Sequence, residues 1–255
     1  MLAEINSRVE GGEMQIYIPE LEHAFYIDLR SDNLQRLLMV PAYETHVVNL
    51  VRAHLTPSVD FIDVGANVGF LTLFASEIIG ENRHVLAIEP TPRALELLRR
   101  NIASYRRESK IIIIEGVATA EPVDTVPIHV VEGKEEYSSV NGIHHVAVEK
   151  EKSTTFNVKG HRVDDLVEQH NLKPGFIKVD TEGHEDAVFE GALRTIKTHS
   201  PVILTELSDR LLAHSGGARG VIQKLEALDY RVADAENLSR KIRFPFEGEI
   251  IATKK

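Results

Sequence analysis

The run Phe61-Ile62-Asp63-Val64-Gly65-Ala66-Asn67-Val68-Gly69-Phe70 constrains the fold of this chain more than any other segment. An apolar stretch from Val59 to Val64 has an acid, Asp63, near its end. Two glycines flank Asn67, and an apolar helical pattern from Leu71 to Ile79 follows at once. A buried strand, a tight turn and a helix start are the simplest reading. Gly65 and Gly69 have no Cβ, so the backbone N–H groups of the turn can come close to a ligand. Asp63 adds a fixed negative charge at the carboxyl end of the strand. Such a charge suits a cationic or hydroxyl-rich ligand better than a pyrophosphate, which points to S-adenosylmethionine (SAM) and so to methyl transfer.

The dinucleotide fingerprint G-x-G-x-x-G provides the main contrast. Its second glycine would fall at Asn67 and its third at Phe70, and both positions fail. A nicotinamide-dependent oxidoreductase is therefore the weaker of two alternatives. The other is a non-catalytic SAM-binding or protein-interaction module. Glu89 ends the next strand, His84 to Glu89. A carboxylate at that place can accept both hydroxyls of a ribose. Asp63, Gly65, Asn67, Gly69 and Glu89 are thus assigned to SAM. Glu115, Gly116, Val117 and Ala118 follow the third strand and are expected to flank the adenine.

From Asp60 onward the chain alternates strand and helix. A helix is expected from about Arg93 to Ser104, with Ala94, Leu97, Leu98 and Ile102 on one face. Later strands are Ile111 to Ile114, Gly175 to Asp180, Val202 to Glu206, Tyr230 to Ala233 and Glu249 to Thr253. Helices are expected over Glu185 to His199 and Arg219 to Leu228. This order predicts an α/β fold with a mostly parallel, helix-covered sheet. Residues 123–163 break the rhythm. Val126 to Val131, Val146 to Val148 and Thr154 to Val158 read as short strands of an antiparallel insertion that shapes the substrate pocket. Residues 1–57 read as a cap, with alternation at Met14 to Ile18 and helix faces at Leu34, Leu37, Leu38, Val47, Val48 and Leu50. Residues 58–255 then form the main domain.

A second chemical constellation is Phe176-Ile177-Lys178-Val179-Asp180-Thr181-Glu182-Gly183-His184-Glu185. Ligands in open α/β sheets sit beyond the carboxyl ends of the strands, so Asp180 should face the same crevice as Asp63. Clustered acids with a histidine can accept a proton or hold a cation. Asp180 is read as general base or metal ligand, with His184 and Glu206 as further catalytic candidates. The plainer reading of Asp180 is a helix cap, and of Glu185 a partner for the helix dipole. Carboxylate oxygens at Asp180 and Glu206 would suit Mg²⁺.

These motifs together resemble the FkbM-type SAM-dependent methyltransferases. The resemblance rests on Phe61 to Gly69, on Ala87-Ile88-Glu89-Pro90, and on Ile177 to Glu185. It extends through Val188-Phe189-Glu190-Gly191-Ala192 and Ser200 to Glu206, and an upstream Tyr43-Glu44 element also matches. It covers about Tyr43 to Val232. It implies a class I, Rossmann-like fold with a mostly parallel seven-stranded sheet and helices on both faces. It also implies O-methylation of a hydroxyl on a sugar or natural product, and adds Glu44 to the cofactor-binding residues.

Composition narrows the partners. A formal net charge of −10 argues against nucleic acid, whose binding needs clustered Lys and Arg. The basic residues Arg99, Arg100, Arg106, Arg107 and Lys110 read as a solvated face. Cysteine is absent, which removes disulfides, thiolate zinc sites and cysteine nucleophiles. No apolar run approaches the ~20 residues that span a bilayer. The polar, acidic start is unlike a signal peptide, so a cytoplasmic enzyme acting on a small-molecule or glycan hydroxyl is expected.

Overall fold

The computed structural model describes residues 12–19, 21–32, 45–103, 105–142, 145 and 147–255. Glu44, Leu34, Leu37 and Leu38 lie outside them. A seven-stranded sheet organises the chain. Its members are β3 (Asp60–Val64), β4 (Val85–Glu89), β5 (Ile111–Glu115), β9 (Pro174–Val179), β10 (Val202–Ser208), β11 (Tyr230–Asp234) and β12 (Glu247–Lys254). Their spatial order is β11-β12-β10-β9-β3-β4-β5. The five strands from β10 to β5 run parallel, and β12 is antiparallel to both of its neighbours. This is the mostly parallel sheet that the strand–helix rhythm predicts, with the seven strands that the resemblance implies.

The alternation of side chains explains why both faces are covered. Phe61, Val85, Ala87, Phe176, Leu204 and Ile251 belong to one core, and Ile62, Val64, Leu86, Ile88, Ile177 and Ile203 to the other. Successive residues of a strand point to opposite faces, so each central strand feeds two cores. Phe61 and Phe176, paired across β3 and β9, stack at 5.3 Å. Helices α1 (Thr45–His54), α2 (Phe70–Ile78) and α3 (Pro92–Ala103) cover the first core. Val47, Val48 and Leu50 are buried as expected, and so is the α3 face of Ala94, Leu97, Leu98 and Ile102. A hairpin of β1 (Glu13–Ile18) and β2 (His23–Asp28) packs on α3. Asn101 fastens it, accepting from Tyr26 N and donating to Tyr26 O and Val68 O.

Helices α4 (Val163–Gln169), α5 (Glu185–Gly191), α6 (Leu193–His199) and α7 (Gly217–Ala227) cover the second core. Two findings differ from expectation here. Helix α4 has no counterpart in the sequence reading. The single helix expected over Glu185 to His199 is two, broken at Ala192. The break coincides with a close approach: a Cβ on Gly191 would overlap the carbonyl of Thr119.

The insertion is a separate three-stranded sheet, in the order β6 (Val117–Ala118), β8 (Ser153–His161) and β7 (Val123–Val131). It carries small cores of its own, one of Val117, Val126, Ile128 and Val130, another of Val131, Tyr137 and Val148. Of the strand expected at Val146 to Val148, Val146 lies outside the described residues and the rest is not strand. Ala147 and Val148 lie in a turn, with Val148 N donating to His145 O, and Val148 fills the second small core instead. The basic residues of the α3 side are ion-paired, Arg99 with Glu115, Arg100 with Glu13, Arg106 and Arg107 with Glu77, and Lys110 with Glu81.

Candidate active site

One cleft opens at the carboxyl ends of β4, β3, β9 and β10. The turn after β3 forms its floor. Gly65, Asn67 and Gly69 all hold positive φ, at 80°, 50° and 91°. The need for glycine proves to be internal. A Cβ on Gly65 would overlap the carbonyl oxygen of Asp180, and one on Gly69 would overlap the Leu98 side chain. Sequence reasoning gave these glycines to ligand approach alone; the structure adds that they let the turn seat against β9 and α3.

Asp63 is 1% exposed. Its Oδ2 accepts from Thr72 Oγ1 at 2.6 Å, and its Oδ1 has no hydrogen-bond partner. Burial pushes this carboxyl up, against the pull of Lys178 and Thr72. Glu89 is 4% exposed and lines the cleft. Its Oε1 accepts from the N–H and hydroxyl of Thr91, and its Oε2 from Asn67 N at 2.8 Å. Oε1 thus has both of its lone pairs engaged, while Oε2 keeps one for a ligand hydroxyl. Burial raises this carboxyl as well, and the Thr91 and Asn67 donors oppose that shift. Gly116, Val117 and Ala118 line the neighbouring wall. Glu115 does not: it is exposed and pairs with Arg99 at 2.7 Å, which corrects its expected place beside the adenine.

The opposite wall is acidic. Asp180, Glu182 and Glu206 each bring a carboxylate oxygen to within 4.8 Å of the others. Lys178 Nζ stands beside them, 3.3 Å from Asp180 Oδ2, 3.8 Å from Asp63 Oδ1 and 2.9 Å from Gly65 O. Glu206 sits directly across the strand pair from Glu249, which is bonded to His46 of α1. The charge of Asp180 lifts the Glu206 carboxyl to about 8, with burial and Glu249 adding to it. Burial first, then the charges of Asp180 and Glu206, raise Glu182 well above the ordinary carboxylate range.

His184 also lines the cleft. Its Nε2 is buried without a hydrogen-bond partner, and burial lowers its basicity. Glu185 turns away from chemistry. Its Oε1 accepts from Thr181 N, Thr181 Oγ1 and Gly183 N, so it ties the turn before α5. The insertion is pinned to that same turn, through Ser139 Oγ to Glu182 O at 2.9 Å and Asn141 Nδ2 to Gly183 O at 2.8 Å.

The structure thus brings Asp63, Gly65, Asn67, Gly69, Glu89, Val117, Asp180, His184 and Glu206 to one cleft. Sequence reasoning missed Lys178, although a lone cation inside the apolar run Phe176 to Val179 was visible. It left Glu182 without a role, and it missed the Glu249–His46 pair, which only sheet register reveals.

A methyltransferase FkbM domain model matches residues 63–232. This chain belongs to the FkbM methyltransferase family. Its fold is similar to the crystal structure of methyltransferase FkbM from Methylobacillus flagellatus, with a TM-score of 0.52 at 17% identity, over 87% of this chain and 54% of that one. Local relatives include a protein of Sulfurisphaera tokodaii named as a probable cobalt-precorrin-6B C(15)-methyltransferase (decarboxylating), 36% identical over 75 residues. That match spans 29% of this FkbM methyltransferase and 38% of the relative. A protein-L-isoaspartate O-methyltransferase of Caenorhabditis elegans is 31% identical over 80 residues, 30% of this chain and 36% of the relative.

Proposed function

We propose that this FkbM methyltransferase moves a methyl group from SAM to a hydroxyl oxygen of a sugar or natural product. The observation that carries the reading is the pairing of two kinds of carboxylate across one cleft. Glu89 is buried with a free lone pair on Oε2 at the end of β4, and the Asp180–Glu206 pair crowds the ends of β9 and β10. The orphaned, buried Oδ1 of Asp63 and the positive-φ turn fit a bound hydroxyl-rich cation.

SAM, when bound, supplies a methyl group already activated by its sulfonium charge. The chain must do the rest. Glu89 accepts the ribose hydroxyls, and the Gly65–Gly69 turn holds the ligand at the sheet. Gly116, Val117 and Ala118 wall the base. The resemblance adds Glu44 to this set. The acceptor hydroxyl gives its proton to the Asp180–Glu206 pair as its oxygen gains the methyl group. Glu206 is suited to that task because the charge of Asp180 lifts its carboxyl to about 8, near the range where a general base contributes about 10²–10⁴-fold. His184 is the further candidate for proton transfer. Residues 58–255 are the methyltransferase domain in this reading, residues 1–57 its cap, and residues 123–163 the part that shapes the acceptor pocket.

Calorimetry with SAM and NAD is the first test, followed by a methyl-transfer screen over glycans and polyketides. SAM should bind and NAD should not. Asp180→Asn should then cut turnover of the acceptor by about 10²-fold or more while SAM affinity changes little. Binding of NAD without SAM overturns the cofactor assignment, and an undiminished Asp180→Asn rate removes Asp180 from the chemistry.

A further inference from the structure

We infer that His46, acting through Glu249, is a positioning residue for Glu206: it holds the Glu249 charge in check and so governs when Glu206 can take a proton. The inference rests on the methyl-transfer reading for its chemical use, although the coupling itself can be measured without it. β10 and β12 are antiparallel, with Glu206 directly opposite Glu249. Residues paired in this way share a face of the sheet, with Cβ atoms about 4.5–5.5 Å apart, and like charges there destabilise the strand pair. Glu206 lines the cleft, and Glu249 lies on the next strand of the sheet. His46 Nε2 is bonded to Glu249 Oε2. Three groups on three elements thus form a chain from α1 through β12 to the cleft wall.

The first core fixes the far end of this chain. Val47, Val48, Leu50 and Val51 bury α1, which sets His46 against β12. The first turn of α1 has no acid, and the positive end of a helix disfavours a cation. The helix gives a histidine at this place no reason of its own, and the Glu249 carboxylate does. The surroundings of Glu206 show why the pair matters. Asp180 after β9, Glu249 on β12, and Glu182 and Glu185 at the turn before α5 all press negative charge on it, and Lys178 of β9 opposes them. Burial lifts the Glu249 carboxyl, and the bond and charge of His46 pull it back. With His46 in place, Glu249 stays the anion and Glu206 is the member that trades a proton. Without His46 the two carboxyls compete for one proton across the strand pair.

The test is a carboxyl titration of the full chain, labelled with carbon-13 at glutamate Cδ and followed by NMR. Glu206→Gln assigns the Glu206 signal. His46→Ala should move the Glu206 midpoint to higher pH and Glu249→Gln to lower pH, each by about 1 pH unit, the low end of what a charge within ~4–6 Å does. His46→Gln can keep a side-chain N–H beside Glu249, so it should return part of the way to the wild type, and it serves if His46→Ala does not fold. The rising limb of the pH–turnover profile should move in the same directions. A Glu206 midpoint unmoved in both variants overturns the inference. Two shifts of the same sign also overturn it, because a merely structural disturbance has no reason to change sign between His46 and Glu249. SAM affinity, measured on the same samples, keeps the two readings apart. Opposite shifts without SAM binding uphold the coupling and remove the cofactor reading, and SAM binding with an unmoved midpoint does the reverse.

Discussion

Gly65 faces the carbonyl of Asp180 so closely that no Cβ fits, and its φ of 80° disfavours any L side chain. Gly65→Ala should therefore lower stability by more than the ~1 kcal/mol typical of a misplaced alanine, read as a drop in denaturant midpoint. A loss of SAM affinity in that variant would follow from the distorted turn and would say little about direct contact. Glu89→Ala is the cleaner probe. It removes two charge-assisted acceptors worth about 1.5–3 kcal/mol each, so SAM binding should weaken at least about tenfold by calorimetry. Thr91 and Asn67 lose their acceptor too, so the melting temperature of this variant must be followed alongside. Much of the site at this scale was legible in sequence, because Asp63, Glu89 and Asp180 each end an apolar run and strand ends converge in such sheets. Lys178 was not, since a lysine inside a strand is ordinarily an outward-facing residue. Glu249 and His46 were not either, because the pairing depends on the register of β10 and β12, far apart in sequence.

Among the elements, the parallel strands were readable from their short apolar runs, and the helices from their one-sided faces. The failures share a cause. Helix α4 is only seven residues long, too short for a periodic pattern to emerge, and the break at Ala192 is set by a tertiary contact of Gly191. Val148 looked like strand because it is apolar, yet it is apolar to fill a small core beside Tyr137. The insertion reaches the acid wall through two side-chain hydrogen bonds, from Ser139 and Asn141 to the carbonyls of Glu182 and Gly183. The double variant Ser139→Ala, Asn141→Ala should raise the KM for the acceptor several-fold and leave the Kd for SAM within about twofold. Steady-state kinetics and calorimetry on the same sample check this, and equal effects on both ligands would mean that the insertion serves the cofactor instead.

Across the whole molecule the cleft carries a pH signature. Glu182, Glu206 and Glu249 all have folded pKa values raised above those of an unfolded chain. Between about pH 4.5 and about pH 8 the folded protein therefore holds more protons than the unfolded one, and stability falls as pH rises through that window. His161 and His184 act oppositely, because burial lowers both, but their contribution is complete once the unfolded histidines are neutral above about pH 6.5. The melting temperature should thus decline from pH 6.5 to 8, and the decline should flatten in Glu206→Gln. Turnover should rise over the same range as Glu206 loses its proton. A flat melting profile in the wild type would mean that the acids are ionised throughout.

The contact between Gly65 and the Asp180 carbonyl has a consequence for laboratory evolution. The turn after β3 seats directly against the Asp180 backbone, and Lys178 ties the two together by bonding Gly65 O and pairing with Asp180. Substitutions at residues 63–69 and 178–182 should therefore be strongly epistatic, and libraries that randomise either segment alone will mostly return misfolded chains. The hairpin of β7 and β8 has its own small cores and touches the turn before α5 through the exchangeable side chains of Ser139 and Asn141. Diversity placed there can be sampled without disturbing that contact between Gly65 and Asp180, which makes that hairpin the economical place to search for new acceptors.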